Sequence, residues 1–407
     1  MDLFLDYTNT NIFDNHIFIP GSKSESNRLL ILKQLFNNLK LKNLSNADDT
    51  LILQKALSSN NKTINIGHAG TAMRFLTAYF ASNQKVDVTL TGSERMQKRP
   101  IKILVNALRE LGADITYLKE DGFPPLQIKG KILDKNVVTI NGNVSSQYIS
   151  ALMLIAPSLK NGLTILLKNE ITSIPYIKMT LSLLKEMDVK IKWENNKITI
   201  SKKENTKDTT IIIESDWSAA SYYYSLVALS ENGRLLLSSF KEESLQGDSA
   251  LANIYTKFGV ETTFKKEGIE IIKSTNFNFK KHLRFNLIKT PDIAQTIAVT
   301  CFGLGISCEL TGLHTLKIKE TDRLLALKNE LQKLGAKVRI TEDSLHLKSL
   351  KINSVNLESV KINTYDDHRM AMAFAPLSLK IPLIINNSEV VSKSYPNYWK
   401  DFKSIVQ

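Results

Sequence analysis

The chain has 407 residues, room for two or three domains of ordinary size, with 43% hydrophobic and 23% charged residues, an ordinary balance for a globular protein. With 53 Lys and Arg against 40 Asp and Glu, its net charge of +13 favours anionic partners: nucleic acid, a membrane surface or a phosphorylated metabolite. Two cysteines, Cys301 and Cys308, in one apolar stretch exclude a disulfide scaffold and read as buried thiols of a reducing compartment. No apolar run reaches the roughly 18 residues a membrane-spanning helix needs, and the acidic Met1–Thr10 is no signal peptide, so a cytoplasmic protein is expected.

Internal repetition organises the chain. A helix ending in a turn before a strand recurs around Gly112, Asp188, Gly259 and Gly335, at intervals of roughly 75 residues. Three of the four turns carry Gly, the residue suited to a left-handed helix C-terminus. Interleaved with these are polar starts of Ala/Met/Leu-rich helices near Ser22, Gly70, Ser145, Asp216, Asp292 and Asp367. Six units of strands and helices are therefore expected, packed as two lobes of three. The break is expected in the polar stretch Ser230–Arg234, giving lobes 20–232 and 1–19 plus 233–407, with the N-terminal strand completing the second lobe.

In chain order, the strand ending Ile17–Pro20 leads into Gly21-Ser22-Lys23-Ser24-Glu25-Ser26-Asn27-Arg28. Free N–H groups at a helix start, with Lys23, Ser24 and Arg28 added, suit an anion. Taken alone, a Ser-capped helix with exposed basic residues explains it as well. Gly67-His68-Ala69-Gly70-Thr71-Ala72-Met73-Arg74 allows close backbone approach at a second helix start, and Met96-Gln97-Lys98-Arg99-Pro100 is a basic knot before another helix. Ser145-Ser146-Gln147 and Ser173 stand at further helix starts, where N-capping is the simpler reading.

The second half is denser in charge. Asp292 stands at a helix start, where capping alone accounts for it. Lys317-Ile318-Lys319-Glu320-Thr321-Asp322-Arg323 sets a carboxylate among cations, an arrangement suited to proton transfer beside an anion. Asp366-Asp367-His368-Arg369 precedes an Ala/Met-rich helix, and Lys393 precedes the last one. Converging on one cleft, such helix starts would make a strongly cationic pocket for two anionic substrates.

Together these segments resemble the 5-enolpyruvylshikimate-3-phosphate synthase family. The resemblance runs from Pro20-Gly21-Ser22-Lys23-Ser24 to Ser394-Tyr395-Pro396, and Gly-Thr-Ala-Met-Arg, Lys-Glu-Thr-Asp-Arg and Asp-His-Arg-Met-Ala-Met carry it. It implies an α/β fold, a two-lobed inverse α/β barrel with three βαβαββ-type repeats per lobe in pseudo-threefold symmetry. It implies a monomer that joins phosphoenolpyruvate to shikimate 3-phosphate by addition and elimination, with no metal or organic cofactor, no nucleic acid and no membrane. Carried over residue by residue, Lys23 looks like the lysine shared by both substrates. Ser24, Arg28, Ser145, Ser146, Gln147, Ser173, Thr315 and Lys319 look like the shikimate 3-phosphate site. Gly70, Arg74, Arg99, Gln147, Arg323, Arg369 and Lys393 look like the phosphoenolpyruvate site. Asp292 looks like the base at the 5-hydroxyl and Glu320 like the proton carrier at C3.

Three positions depart from the family: His68 for its usual Asn, Phe75 for Pro, and Thr315 for a frequent Asn. The related transferase that acts on a UDP-sugar fits less well. It would call for a Lys-Asn pair where Lys23-Ser24 stands, and for a loop cysteine. Nucleic-acid binding lacks aromatics interleaved with the arginines, and the six scattered His offer no pair at metal-ligand spacing.

Overall fold

The helices divide into two kinds, and the division sets the architecture. Lys23–Leu35, Gly70–Ala81, Ser146–Ile155, Trp217–Leu229, Ala294–Gly303 and His368–Phe374 are buried over most or all of their surface. A helix apolar all round has to be surrounded by protein. Lys102–Glu110 buries only Leu104, Val105, Ala107 and Leu108, and Tyr398–Val406 only Tyr398, Phe402, Ile405 and Val406, so each lies with one stripe inward. The computed structural model describes residues 1–10, 12–171, 174–204, 207–348 and 359–407.

Two units result, Gly21–Ile213 and Met1–Pro20 with Glu214–Gln407. In the first, the inner helices Lys23–Leu35, Gly70–Ala81 and Ser146–Ile155 pack on one another; in the second, Ala294–Gly303 packs against both Trp217–Leu229 and His368–Phe374. The sheets lie outside them. Strands such as Val137–Asn141 and His282–Asn286 alternate exposed and buried residues, the signature of a sheet covered on one face.

Four four-stranded sheets share one topology. Thr63–Asn65 runs parallel to Asp87–Thr91, which pairs antiparallel with Leu126–Lys129, which pairs antiparallel with Asp114–Tyr117. The same order holds for Val137–Asn141 with Leu163–Lys168, Lys197–Ile200 and Ile191–Glu194, and for His282–Asn286 with Ser307–Thr311, Leu345–Lys348 and Lys337–Ile340. Each parallel pair needs a crossover, and in these three sheets an inner helix supplies it. In the fourth sheet the first strand, Ile12–Ile17, is separated from its parallel partner Asn232–Ser238 by the whole of the other unit. Leu3–Leu5 joins a further sheet antiparallel to Leu383–Ile385. The N-terminal strands thus pair within the second unit. Among the described residues the sheets stay open and none closes into a barrel.

The four repeat turns are all left-handed, with φ of 107° at Gly112, 56° at Asp188, 70° at Gly259 and 87° at Gly335. The return crossing falls at Ile213–Glu214, ahead of the expected break at 232/233. The helix Trp217–Leu229 decides this. Trp217, Tyr223, Tyr224 and Leu226 are wholly buried in the core of the second unit, so the segment belongs there. Cys301 and Cys308 are both buried free thiols.

Candidate active site

In the unit Gly21–Ile213, Ser22 caps the helix Lys23–Leu35, its Oγ accepting the Glu25 N–H at 3.5 Å. Lys23 Nζ lies 3.9 Å from Asp49 Oδ2. Arg28 is not the open cation its spacing suggests: it is 3% exposed. Its Nε donates to Thr180 Oγ1 at 2.8 Å, its Nη2 to Ser150 Oγ at 3.1 Å and its Nη1 to the Ser24 carbonyl at 2.8 Å. The guanidinium stands 5.5 Å from the Phe75 ring centre and 5.9 Å from that of Tyr176. Phe75, a departure from the family pattern, therefore supplies an aromatic face to this cation. Burial lowers the Arg28 pKa to about 10, against the pull of Tyr176 and Glu25, and leaves it charged at neutral pH.

Gly70 opens the next inner helix with the Arg99 guanidinium directly over it; a Cβ on Gly70 would stand 2.6 Å from Arg99 Nη1. Arg74 is spent on the loop that carries Arg99. Its Nη2 donates to the Pro100 carbonyl at 3.0 Å, beside the Tyr148 hydroxyl, which donates to the same oxygen at 2.6 Å. Burial first, then the charge of Arg99, lowers the Arg74 pKa to about 10. His68 Nδ1 lies 2.8 Å from Ser93 Oγ, and the Ser93 N–H donates to the Gly67 carbonyl at 3.0 Å, so the glycine turn and the Arg99 loop are tied together. Ser145 caps the third inner helix, and Gln147 Nε2 donates to Thr71 Oγ1 at 3.3 Å. Ser146 is buried. Ser173 lies outside the described residues.

The other unit gathers its candidates more tightly. Arg323, 2% exposed, donates from Nε to Asp367 Oδ2 at 2.6 Å, from Nη1 to Asp292 Oδ1 at 3.0 Å and from Nη2 to Glu320 Oε2 at 2.7 Å. Lys319 Nζ lies 3.6 Å from Asp292 Oδ1, and Arg369 Nη2 lies 3.5 Å from Asp292 Oδ2. Arg369 Nη1 also donates to the Asp292 carbonyl at 3.2 Å, and Lys393 Nζ sits 3.0 Å from Glu320 Oε1. Asp292 is not the N-cap residue at this helix start, where Thr290 and Ile293 hold the N-cap positions of the 3-10 turn and of the helix Ala294–Gly303. Asp216, Asp322 and Asp367 do cap their helices. Thr315 Oγ1 is buried and has no hydrogen-bond partner among the described residues.

The cluster in this unit is a lattice of cations and carboxylates, unlike the bare cationic pocket expected from the sequence. Burial pushes the Asp292 carboxyl up, but Lys319, Arg369 and Arg323 together outweigh burial and hold it well below the usual carboxylate range. Asp248 behaves oppositely. Burial, then the nearby charge of Asp292, raises it to about 6, although Arg369 and the Ser218 hydroxyl bonded to it pull the other way. Asp248 and Ser218 escaped the sequence reading. They come from a short 3-10 turn, Gly247–Ala250, and from the second residue of a helix without charged side chains, and neither segment has a charge pattern. Asp49, which faces Lys23, stands beside Asp48 in the acidic first turn of the helix Asp48–Leu57, a pattern that helix-start electrostatics alone explains. Among the described residues no group of three or more His, Cys, Asp or Glu is placed to hold a metal ion, and no helix is long and apolar enough to cross a membrane.

The family model described as EPSP synthase (3-phosphoshikimate 1-carboxyvinyltransferase) matches residues 34–402. The chain belongs to the EPSP synthase family. It is a transferase, as its relatives are named. The 3-phosphoshikimate 1-carboxyvinyltransferase of Bacteroides fragilis (strain YCH46) is 47% identical over 395 residues, which cover 95% of this chain and 94% of that protein. The protein of that name from Colwellia psychrerythraea is 34% identical over 415 residues, 95% of each. A solved EPSP synthase from Acinetobacter baumannii superimposes with a TM-score of 0.79 at 20% identity, over 99% of this chain and 97% of that one. The EPSP synthase fold is thus shared well beyond the level of clear sequence similarity.

Proposed function

We propose that this enzyme transfers the enolpyruvyl group of phosphoenolpyruvate to the 5-hydroxyl of shikimate 3-phosphate, a step of chorismate and aromatic amino-acid biosynthesis. The 5-oxygen bonds to C2 of phosphoenolpyruvate as its proton leaves to a base and C3 gains a proton. The tetrahedral adduct then loses phosphate from C2 and a proton from C3, which restores the double bond.

The observation that carries the reading is Asp292, a carboxylate only 12% exposed that faces three cations, Lys319, Arg323 and Arg369. Held so far below its usual range, it is ionised but weakly basic. An incoming carboxylate or phosphate that takes up Arg323 and Arg369 removes that restraint and raises the basicity of Asp292 where the 5-hydroxyl needs it. Glu320, between Arg323 and Lys393, is the group assigned to C3. Forked arginine contacts suit the carboxylate and phosphate of phosphoenolpyruvate. In the unit Gly21–Ile213, Arg99 over Gly70, with the N–H groups of that helix start, is assigned to phosphoenolpyruvate. Lys23 serves both substrates, and Ser24, Ser145, Ser146, Ser173, Gln147 and the Thr315 hydroxyl serve shikimate 3-phosphate. Arg28 and Arg74 act from beneath, through the residues they hold. The same reading has the enzyme act as a cytoplasmic monomer.

Phosphate release measured with both substrates, against a control without shikimate 3-phosphate, tests this. Release only when both are present is the expected result; release that ignores shikimate 3-phosphate, or none with both, overturns it.

A further inference from the structure

The helix Arg323–Lys333 grips the segment that leads into the helix His368–Phe374 at two points. At its first residue, Arg323 holds Asp367. Two turns further on, Glu330, which is fully buried, accepts the Tyr365 hydroxyl on Oε1 at 2.6 Å. Its Oε2 accepts the Asn363 N–H at 3.1 Å and lies 2.6 Å from Lys333 Nζ. Between the two grips, Tyr365 and Asp366 are both left-handed, each with φ of 54°. Neither is glycine, and residues with a Cβ take this conformation in succession only where their surroundings compel it. Asp366 has one further tie, Asn387 Nδ2 donating to its Oδ1 at 3.0 Å, and the Asp367 N–H closes the turn on the Thr364 carbonyl at 2.9 Å. The turn delivers two groups to the site at once. Asp367 caps the helix by accepting the Arg369 N–H at 2.9 Å, and Arg369 reaches the Asp292 carbonyl.

We propose that Glu330 and Tyr365 are positioning residues for the reaction: their hydrogen bond holds the left-handed pair Tyr365–Asp366 and so fixes where Asp367 and Arg369 stand relative to Asp292. This rests on the functional reading for the identity of the anion that Arg369 meets. Neither residue touches the reacting groups. The carboxylate–phenol bond acts through backbone geometry, and a site built on forked contacts is sensitive to displacements of an ångström or less.

Steady-state kinetics of the full-length enzyme, run well below its melting temperature, separate this role from a merely stabilising one. Tyr365→Phe removes only the hydroxyl. It is expected to raise KM for phosphoenolpyruvate about tenfold, with KM for shikimate 3-phosphate within about twofold of the parent. Asp366 is exposed, so the fold tolerates replacement there. Asp366→Ala, which keeps a Cβ in the left-handed region and loses the Asn387 tie, is expected to shift KM in the same selective way. Asp366→Gly, which adopts that angle freely, is expected to stay near the parent. The proposal is overturned if Tyr365→Phe lowers the melting temperature yet leaves both KM values unchanged, or if Asp366→Ala and Asp366→Gly behave alike. A parent enzyme that releases no phosphate fails the functional reading and this proposal with it; a fully active parent beside unaffected variants fails the proposal alone.

Discussion

Arg323 and Asp367 form a two-point pair, Nε to Oδ2 at 2.6 Å and Nη2 to Oδ1 at 3.3 Å, with neither side chain reaching solvent to any extent. Removing one charge of a buried pair typically costs about 3–5 kcal/mol, because the other is left desolvated without its partner. Asp292 and Glu320 remain beside Arg323 and soften the loss. Asp367→Asn keeps a side chain able to cap the helix and deletes only the charge. The expected result is a fall of about 3 kcal/mol in unfolding free energy, seen as a melting temperature lower by roughly 5–10 °C. An unchanged melting curve would mean that Asp292 and Glu320 alone suffice to hold Arg323.

Asp292→Ala and Glu320→Ala should each remove most turnover with the fold intact. A group that moves a proton in the transition state is worth about 10²–10⁴ in rate. Asp292 also neutralises Lys319, Arg323 and Arg369 in the free enzyme. Its removal frees those cations, so phosphoenolpyruvate or inorganic phosphate should bind Asp292→Ala as tightly as the parent or more so. Calorimetric titration beside the phosphate-release assay would show this split. Near-normal phosphate release by both variants sinks the proton-transfer roles.

How far the sequence shows these arrangements depends on the range of the interaction. The repeat turns are local, and left-handed φ at Gly112, Gly259 and Gly335 follows from glycine's freedom; Asp188 reaches the same angle because Asp tolerates it better than most residues. Helix starts are local too, and Ser22, Ser145, Asp216 and Asp367 cap where expected. What escapes is whatever depends on the far side of a fold. Arg28 and Lys23 share one helix start, yet only tertiary contacts with Ser150 and Thr180 bury Arg28. Asp292 looks like a cap until three cations from other segments face it. The 213/214 crossing is invisible because nothing in the composition of 214–229 says which core Tyr223 and Tyr224 fill.

Gly70→Ala tests the contact between the second inner helix and Arg99. The added Cβ would come within 2.6 Å of Arg99 Nη1 and meets nothing else closer than that same guanidinium. The far end of a long side chain swings away cheaply, so the fold should keep its melting temperature within about 2 °C. The anion contact should not survive the swing. KM for phosphoenolpyruvate is expected to rise by about tenfold or more, the loss of one charge-assisted contact. Steady-state kinetics with shikimate 3-phosphate saturating would show it, and an unchanged KM would remove Arg99 from the phosphoenolpyruvate site.

Asp248 and Asp292 should act on stability in opposite directions as pH changes. Asp292 has a folded pKa below that of the unfolded chain, about 4. Its contribution is therefore fully present above pH 4 and is lost as pH falls further. Asp248 has a folded pKa raised to about 6. Below about pH 4 both states hold its proton and it contributes no pH dependence. Between about 4 and 6 the unfolded chain ionises while the folded chain keeps the proton, so stability falls as pH rises, by up to about 1.4 kcal/mol per unit. Above about 6 the folded carboxyl ionises too and the cost levels off. Asp248→Asn removes this titration while leaving an oxygen to accept the Ser218 hydroxyl. Denaturant unfolding of both proteins from pH 4 to 8 should show the variant gaining on the parent by about 2–3 kcal/mol up to pH 6 and running parallel to it beyond pH 7. Curves parallel over the whole range would mean that Arg369 and Ser218 keep Asp248 ionised despite its burial beside Asp292.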